Sequence, residues 1–386
     1  MTQNSLDILI VGGGPAGLAL GCALHDCGWR PLVLEQASEA QLAQPLDDGR
    51  EIALTHRSRR ILEGLGLWQR LDDIAPLRRA SVRTAGGRHA LPFEAADQGA
   101  SGDLGWLVAN HRLRAAAYAG LRGRGVPLRC QAQVSGLQRE AGQATVQLQD
   151  GSRLSAPLVV AADSRFSQVR RMAGIGARSL DFGRSALLVP VAHEADHQGL
   201  AQECFLQGHT LALLPLNGRR CSAVWTVANA ELPRLQALDD AQLGAAIQEA
   251  AGPLLGSLRV DGARYVYPLV AVYAHRFAAE RFALIGDAAV GMHPVTAHGY
   301  NLGLYGIEAL TQALRGATDP GSLPLLRRYE QQHRRASAPL YVGTNALVGL
   351  FTADAPPLLA LRRAVIDVAR HLPPLRAAIT RQLTHA

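Results

Sequence analysis

The sequence predicts an α/β protein: a parallel sheet assembled from discontinuous pieces of chain, an inserted β-rich lobe and a helical C-terminal region. Three observations carry this expectation. Residues 6–35 read as strand, glycine-rich turn, helix, strand and acid. Leu158–Ala162 and Phe282–Ile285 are continuous apolar runs of the kind that a parallel strand buried on both faces requires. Between them, from about residue 171 to 275, short extended segments follow one another, which reads as a mixed, largely antiparallel lobe.

The first unit is the most specific. The apolar run Leu6–Val11 leads directly into Gly12-Gly13-Gly14-Pro15-Ala16-Gly17, which satisfies G-x-G-x-x-G. Leu18–Cys27 then reads as a helix that stops at Gly28, and a second strand, Pro31–Leu34, ends in Glu35. In a Rossmann-like unit Gly12 permits the tight turn, Gly14 lets the backbone approach a pyrophosphate, and Gly17 lets helix and strand pack closely. The helix start offers N–H groups and the positive end of its dipole to that pyrophosphate, and Glu35 can hold a ribose hydroxyl. The glycines alone are weak evidence. With strand, helix and acid in register they specify a dinucleotide site, without distinguishing FAD from NAD.

At 386 residues the chain can bury two cores, and 48% hydrophobic residues with a mean hydropathy of +0.03 describe a globular protein. No apolar run approaches the roughly 20 residues of a membrane span. The N-terminus enters a strand with no basic or apolar signal region, so the cytoplasm is expected. Cysteines 22, 27, 130, 204 and 221 are odd in number and show no C-x-x-C, which fits buried free thiols. The net charge of +7 is carried by arginine, because the chain has no lysine, and any mechanism needing a catalytic lysine is excluded. The arginines are scattered without interleaved aromatics, which argues against nucleic-acid binding.

Along the rest of the chain, a polar stretch runs to Arg50 and is followed by an extended segment, Glu51–Leu54. Thr55 or Ser58 can cap a helix through Leu62, with Gly64 and Gly66 interrupting it. Residues 77–107 read as a small β excursion turning at Gly86-Gly87. Arg112–Leu121 is a predicted helix, Val126–Cys130 a strand, and Asp150-Gly151 a hairpin turn. In the lobe, Ala186–Ala192, His209–Leu214, Cys221–Val227 and Tyr265–Val270 are predicted strands, with Asn217-Gly218 as a turn and one helix at about Ala241–Ala251 behind Asp239 and Asp240. A helix is expected from about Gly299 to Leu314. In the tail, Leu358, Leu361, Val365, Val368 and Leu372 form an amphipathic stripe with Arg362, Arg363 and Arg370 off it.

Taken together the motifs point to a family. Gly12–Gly17 with Glu35, Arg50 before Ala53-Leu54, Ala162-Asp163 with Ser167 and Arg170, and Gly286-Asp287-Ala288-Ala289 with His293-Pro294 and Gly299-Tyr300-Asn301-Leu302-Gly303 occur in that order. The chain resembles the single-component flavin aromatic hydroxylases, the group that includes para-hydroxybenzoate hydroxylase. Thr344-Asn345-Ala346-Leu347 through Leu350-Phe351 looks most like the ubiquinone-biosynthesis branch.

That resemblance implies a Rossmann-like FAD-binding domain made of residues 1–76, 108–170 and 276–335, a substrate domain made of 77–107 and 171–275, and a helical C-terminal region, 336–386. It implies FAD as cofactor and NAD(P)H as co-substrate, docking transiently because no second G-x-G-x-x-G is present. FAD contacts are expected from Gly12, Gly14, Pro15, Ala16, Gly17, Glu35, Arg50, His111, the backbone at Val134, Asp163, Gly286, Asp287, Ala297, Gly299 and Asn301. Asp287 would reach the ribityl chain, and Asp163 with Arg170 would serve both FAD and NAD(P)H. The helix starting near Gly299 would stabilise the reduced flavin through its dipole, with Pro294 and His298 positioning the loop before the ring. No metal is expected: His293 and His298 lack a carboxylate or cysteine at ligand spacing.

The chain departs from the family pattern at Ser164, where glycine is usual, at His111, where arginine is common, and at Ala289-Val290 and Ala297-His298. These changes bear on nicotinamide preference and ring position more than on flavin binding. The implied substrate is an aromatic small molecule, a prenylated phenol on the way to ubiquinone. Leu187, Val189, Leu211, Leu213, Val224 and Val227 are the apolar positions against which such a molecule could lie, or the lobe's own core. The tail reads either as a contact with a membrane surface or biosynthetic complex, or as a cover for the protein's own core. A halogenase would need a lysine. A geranylgeranyl-type reductase and a non-catalytic flavin-binding assembly subunit remain as alternatives, as does a hydroxylase of a soluble aromatic.

Overall fold

The strand Ile8–Val11 sits inside a six-stranded sheet in a computed structural model that describes residues 6–84, 90–94, 102–293 and 298–352. Pro31–Leu34 and Leu158–Ala161 flank it, both parallel, with Ile10 opposite Val33 on one side and Val160 on the other. Phe282–Leu284 and Leu128–Arg129 extend the sheet in parallel on either side, and Ala278–Ala279 closes one edge antiparallel. All four side chains of the central strand are buried, as a strand covered on both faces demands, at roughly 1.5–3 kcal/mol each. From the central strand the chain moves first to Pro31–Leu34 on one side and only later to Leu158–Ala161 on the other. That reversal opens a crevice at the carboxyl ends of the strands.

Local chemistry accounts for most element ends. The first helix is Pro15–Asp26, beginning three residues earlier than the apolar pattern suggests, because Pro15 takes the first helical position where its missing N–H is no loss. Thr55 caps His56–Gly64 by accepting from the Ser58 amide at 3.2 Å. Asp239 and Gln242 form a capping box at the start of Asp240–Ala251. Gly151 and Gly218, at φ +83° and +75°, turn the two expected hairpins. Gly299–Leu314 has the expected bounds. The expected Gly86-Gly87 turn and the stripe from Leu358 to Leu372 lie outside the described residues.

Other elements differ. Ala186–Ala192 is part of one strand running from Ala177 to His193. Leu200–Phe205 is a strand without a sequence signal, since Gln202 and Glu203 interrupt its apolar pattern. The last helix runs unbroken from Leu323 to Thr352, across position 336 and through Pro339.

Most of the inserted segments form a nine-stranded sheet, joined by Arg79–Thr84 and Leu91–Glu94 from the earlier excursion. On one face Leu187, Val189, Leu211, Leu213 and Val227 are buried against Leu243 and Ile247 of the helix Asp240–Ala251. The apolar positions considered as a substrate wall are therefore the lobe's own core. Val224, the sixth of that set, faces the other way, with Ala186 and Leu188.

The helix Leu323–Thr352 backs the parallel sheet. Tyr329 donates its hydroxyl to the Leu284 carbonyl, and His333 packs against Phe277, with its Nε2 placed 3.1 Å from where a Cβ on Gly306 would lie. His333 is 1% exposed and neither ring nitrogen has a hydrogen-bond partner. Burial, helped by the charge of Arg57, pushes its pKa down to about 3. The unfolded chain therefore takes up a proton near pH 6.5 that the folded chain refuses. Stability is full above pH 6.5 and falls as pH drops toward 3, by up to about 2 kcal/mol at pH 5. His333→Leu is expected to narrow the difference between thermal midpoints at pH 7.5 and pH 5 by a few degrees. An undiminished difference would show that other groups set the acid sensitivity.

Candidate active site

The glycine turn closes over the crevice as the spacing requires. Gly12 has φ +116°, and a Cβ there would lie 2.5 Å from the Ala162 carbonyl oxygen. A Cβ on Gly17 would stand 1.9 Å from the Gly12 oxygen, so helix and strand touch where only hydrogen fits. A Cβ on Gly14 meets nothing within 4 Å. The open space lies at the start of Pro15–Asp26, where backbone N–H groups and the dipole favour an anion. Ala16 is on the first turn of the same helix, and its Cβ lies 3.3 Å from where a Cβ on Gly286 would be. Glu35 accepts from the Gly13 amide, and from the Ala37 amide at 2.8 Å. The acid therefore also fixes the glycine turn, and a carboxylate keeps lone pairs for a further donor.

Beside this turn is a cavity of about 290 Å³ lined by Gly12, Glu35, Val134, Asp163, Ser164, Phe166 and Arg171, among others. Asp163 Oδ2 accepts from the Gln168 amide at 3.1 Å, which is the capping role. Its Oδ1 is buried without a partner. A larger open depression of about 600 Å³, lined by Gln312, Arg315, Asp319 and Arg328, contains none of these residues.

Arg170 does not pair with Asp163 directly. It is buried and donates to the carbonyls of Ala288, at 2.8 Å, and Arg165, at 3.2 Å. This ties the segment after Asp163 to the turn Gly286–Ala288. The second tie was not legible in the motif pattern: Arg165 Nη2 donates to Asp287 Oδ2 at 3.1 Å, and Nη1 to the Val270 carbonyl at 3.0 Å. Asp287 is thus held at the end of Phe282–Leu284 by a residue 122 positions away in sequence. Gly286, at φ +58°, makes the turn possible and lies beside Ala16 and Gly303.

The helix Gly299–Leu314 starts in the same region. Asn301 is buried and spends its side chain on structure: Nδ2 donates to the Ala53 carbonyl at 2.8 Å, and Oδ1 accepts from the Thr55 amide at 3.1 Å. It thereby locks the end of Glu51–Leu54 to the helix. Just before that strand, Arg50 pairs with Asp48 at 2.5 Å and lies over the Tyr267 ring, 5.3 Å from its centre. Tyr267 in turn donates to the Asp48 carbonyl at 2.8 Å. Burial pushes the Asp48 carboxyl up, but Arg50 and Asn110 more than offset it, so it stays charged. His111 stands with Nδ1 3.2 Å from Asp47 Oδ1.

His298 is buried at the helix start, and His293 is buried with its ring edge-on to Phe182 at 4.8 Å. Burial, with Arg184 and Arg165 nearby, pushes the His293 pKa down to about 4, so the ring is neutral at pH 7. Pro294 and Ala297 lie outside the described residues.

The residues present fit a flavin dinucleotide. Room for a pyrophosphate at Gly14, an acid on the ribose side at Glu35 and a buried orphan acceptor at Asp163 Oδ1 are the features such a ligand would use. The family model described as an FAD binding domain matches residues 5–341, and the chain belongs to that family. It is an FAD-dependent monooxygenase. Within the family its place is among the ubiquinone hydroxylases. It is 39% identical to ubiquinone hydroxylase UbiM of Neisseria meningitidis, covering 98% of this chain and 84% of that one. It is 37% identical to ubiquinone hydroxylase UbiL of Rhodospirillum rubrum, covering 97% and 88%, and 32% identical to the 3-demethoxyubiquinol 3-hydroxylase of Escherichia coli, covering 94% of each. Among solved structures, p-nitrophenol 4-monooxygenase PnpA of Pseudomonas putida shares the fold at a TM-score of 0.79 and 20% identity, covering 98% of each chain. Among the described residues no helix is long and apolar enough to cross a membrane.

Proposed function

We infer that this protein hydroxylates the aromatic ring of a prenylated phenol on the way to ubiquinone, with NAD(P)H and O2 as co-substrates. The observation that carries this reading is similarity along 98% of the chain to a protein named ubiquinone hydroxylase. Bound FAD supplies acceptance of hydride from the nicotinamide and activation of O2. The chain supplies position and environment. Gly12, Gly14 and Gly17, with the start of Pro15–Asp26, hold the pyrophosphate; Glu35 and the strand at Val134 border the adenosine; Asp163 Oδ1 accepts from a hydroxyl.

At the other end Asp287, oriented by Arg165, would hold the ribityl chain, and the first turn of Gly299–Leu314 would face the ring system. The helix dipole there stabilises negative charge by roughly 0.5–2 kcal/mol. Neutral His293 adds no charge to the approach of an apolar substrate. The fold is divided in this reading into FAD-binding pieces (1–76, 108–170, 276–335) and a substrate domain (77–107, 171–275). The tail from Leu358 to Leu383 makes the contact with a membrane surface or biosynthetic complex, which the arginines flanking the apolar stripe support.

The test is the lipid extract of cells lacking the gene. A shortened ubiquinone pool and an accumulating intermediate one ring hydroxyl short are expected. An unchanged profile in a strain without a redundant hydroxylase contradicts the reading.

A further inference from the structure

The cavity beside the glycine turn has one wall that the fold does not use. Among the described residues that line it, Phe166 is the only aromatic, and it is 54% exposed. A single exposed apolar side chain is ordinary on a protein surface. This one is set apart by how firmly its backbone is held. The Ser167 amide donates to the Ser164 carbonyl at 3.0 Å, so Arg165 and Phe166 are the two central residues of a turn. Arg165 reaches Asp287 and the Val270 carbonyl, and its own carbonyl accepts from Arg170. Ser167 is buried and caps Gln168–Met172 by accepting from the Arg170 amide at 2.9 Å. Both neighbours of Phe166 are therefore fixed, while no hydrophobic cluster among the described residues includes its ring.

The other walls of the cavity show what would cover that ring. Gly12 lines it, so it opens from the glycine turn. Glu35, the acid on the ribose side, and Asp163, whose Oδ1 is buried without a partner, line the same space. Neither Asp287 nor Gly299 does. A dinucleotide laid with its flavin at Asp287 and its pyrophosphate at Gly14 therefore brings its adenosine end here. A purine has flat apolar faces and polar edges, so its pocket needs a flat wall and backbone donors and acceptors. Val134, also in the lining, opens Val134–Arg139, the edge strand of a three-stranded sheet, and an edge strand presents N–H and C=O groups to what lies beside it. Phe166 is the flat wall.

We propose that Phe166 is a specificity-determining residue for the cofactor: its ring stacks on the adenine of FAD and makes the chain retain FAD in preference to FMN, which carries the same flavin without the adenosine. Stacking of a base on an aromatic side chain changes affinity by about tenfold or more. The anchored turn presents the ring before the cofactor arrives, so little is lost in ordering it. The proposal rests on the reading of Glu35 and Asp163 as the adenosine end of the site.

The experiment is a fluorescence titration of the flavin-free, full-length protein with FAD and, separately, with FMN. Wild type is expected to bind FAD more tightly. Phe166→Ala is expected to weaken FAD by about tenfold or more and to leave FMN within about twofold of wild type. Phe166→Tyr, which keeps the flat ring, is expected to bind FAD within about threefold of wild type. Wild-type FAD affinity in Phe166→Ala overturns the proposal and leaves the FAD site intact; a raised KM for NAD(P)H in that variant would then give the ring to the transient nicotinamide nucleotide. Equal weakening of FAD and FMN in Phe166→Ala also overturns it, because the ring then acts only through the turn that carries Asp163 and Arg165. A wild type that binds FAD and FMN alike overturns the reading of the cavity as the adenosine end, and this proposal with it.

Discussion

Gly14→Val is expected to yield a folded, colourless protein. Gly14 has φ −69° and ψ 175°, an extended conformation open to any residue, and a Cβ there touches nothing in the chain. A branched side chain thus costs the unliganded fold little, yet it occupies the space where the pyrophosphate must approach the backbone. FAD affinity is expected to fall at least about a hundredfold, near 3 kcal/mol. Absorbance at flavin wavelengths, a fluorescence titration with FAD and a melting curve separate the two effects. The neighbouring glycines cannot make this separation. At Gly12 and Gly17 a Cβ runs into backbone oxygen at 2.5 and 1.9 Å, so valine there disturbs turn and helix whatever is bound. A Gly14→Val protein that is folded and as yellow as wild type would remove the crevice from the account.

Asp287→Ala is expected to keep the fold and lose most of the activity. The side chain is 38% exposed, and its one described hydrogen bond comes from Arg165, so little of the core depends on it. Its carboxylate stands just past the end of Phe282–Leu284, in the turn Gly286–Ala288 that packs against Gly299–Leu314. Loss of a charged acceptor there should weaken FAD binding by about 10- to 100-fold, or 1.5–3 kcal/mol, and lower substrate-dependent NAD(P)H oxidation in step. Asp287→Asn should recover part of the binding, since an amide oxygen still accepts. Wild-type FAD affinity together with wild-type turnover in Asp287→Ala would take the residue out of the site.

What could be read in the sequence was what local covalent chemistry decides. Gly12 and Gly17 are needed for contacts made within a few residues or against the adjacent strand, and a spacing pattern reports such contacts directly. Capping at Thr55 and Asp239, and turns at Gly151 and Gly218, are local in the same way. The partners that complete the site were hidden because they are distant in the chain. Arg165 meets Asp287 across 122 residues, and Asn301 meets Thr55 across 246. No periodicity encodes such pairs. Arg165 stood two residues beyond the singled-out Asp163, and only the convergence of two strand ends shows what it does.

The substrate lobe illustrates a different limit. Alternation says that a strand has two unlike faces but not which face meets a ligand. The cleaner apolar rows are the ones buried in the lobe itself, against Leu243 and Ile247. The opposite face is the mixed one, with alanine, valine and tyrosine, and its strand Leu200–Phe205 carried no apolar signature at all.

The most direct measurement of the central claim is the quinone-lipid profile of a strain lacking this gene, complemented in turn with wild type and with Gly14→Val. Accumulation of a prenylated phenol one hydroxyl short, cleared by wild type and persisting with the folded Gly14→Val protein, is the predicted result. A normal ubiquinone pool in the uncomplemented strain, with no redundant hydroxylase present, would contradict it.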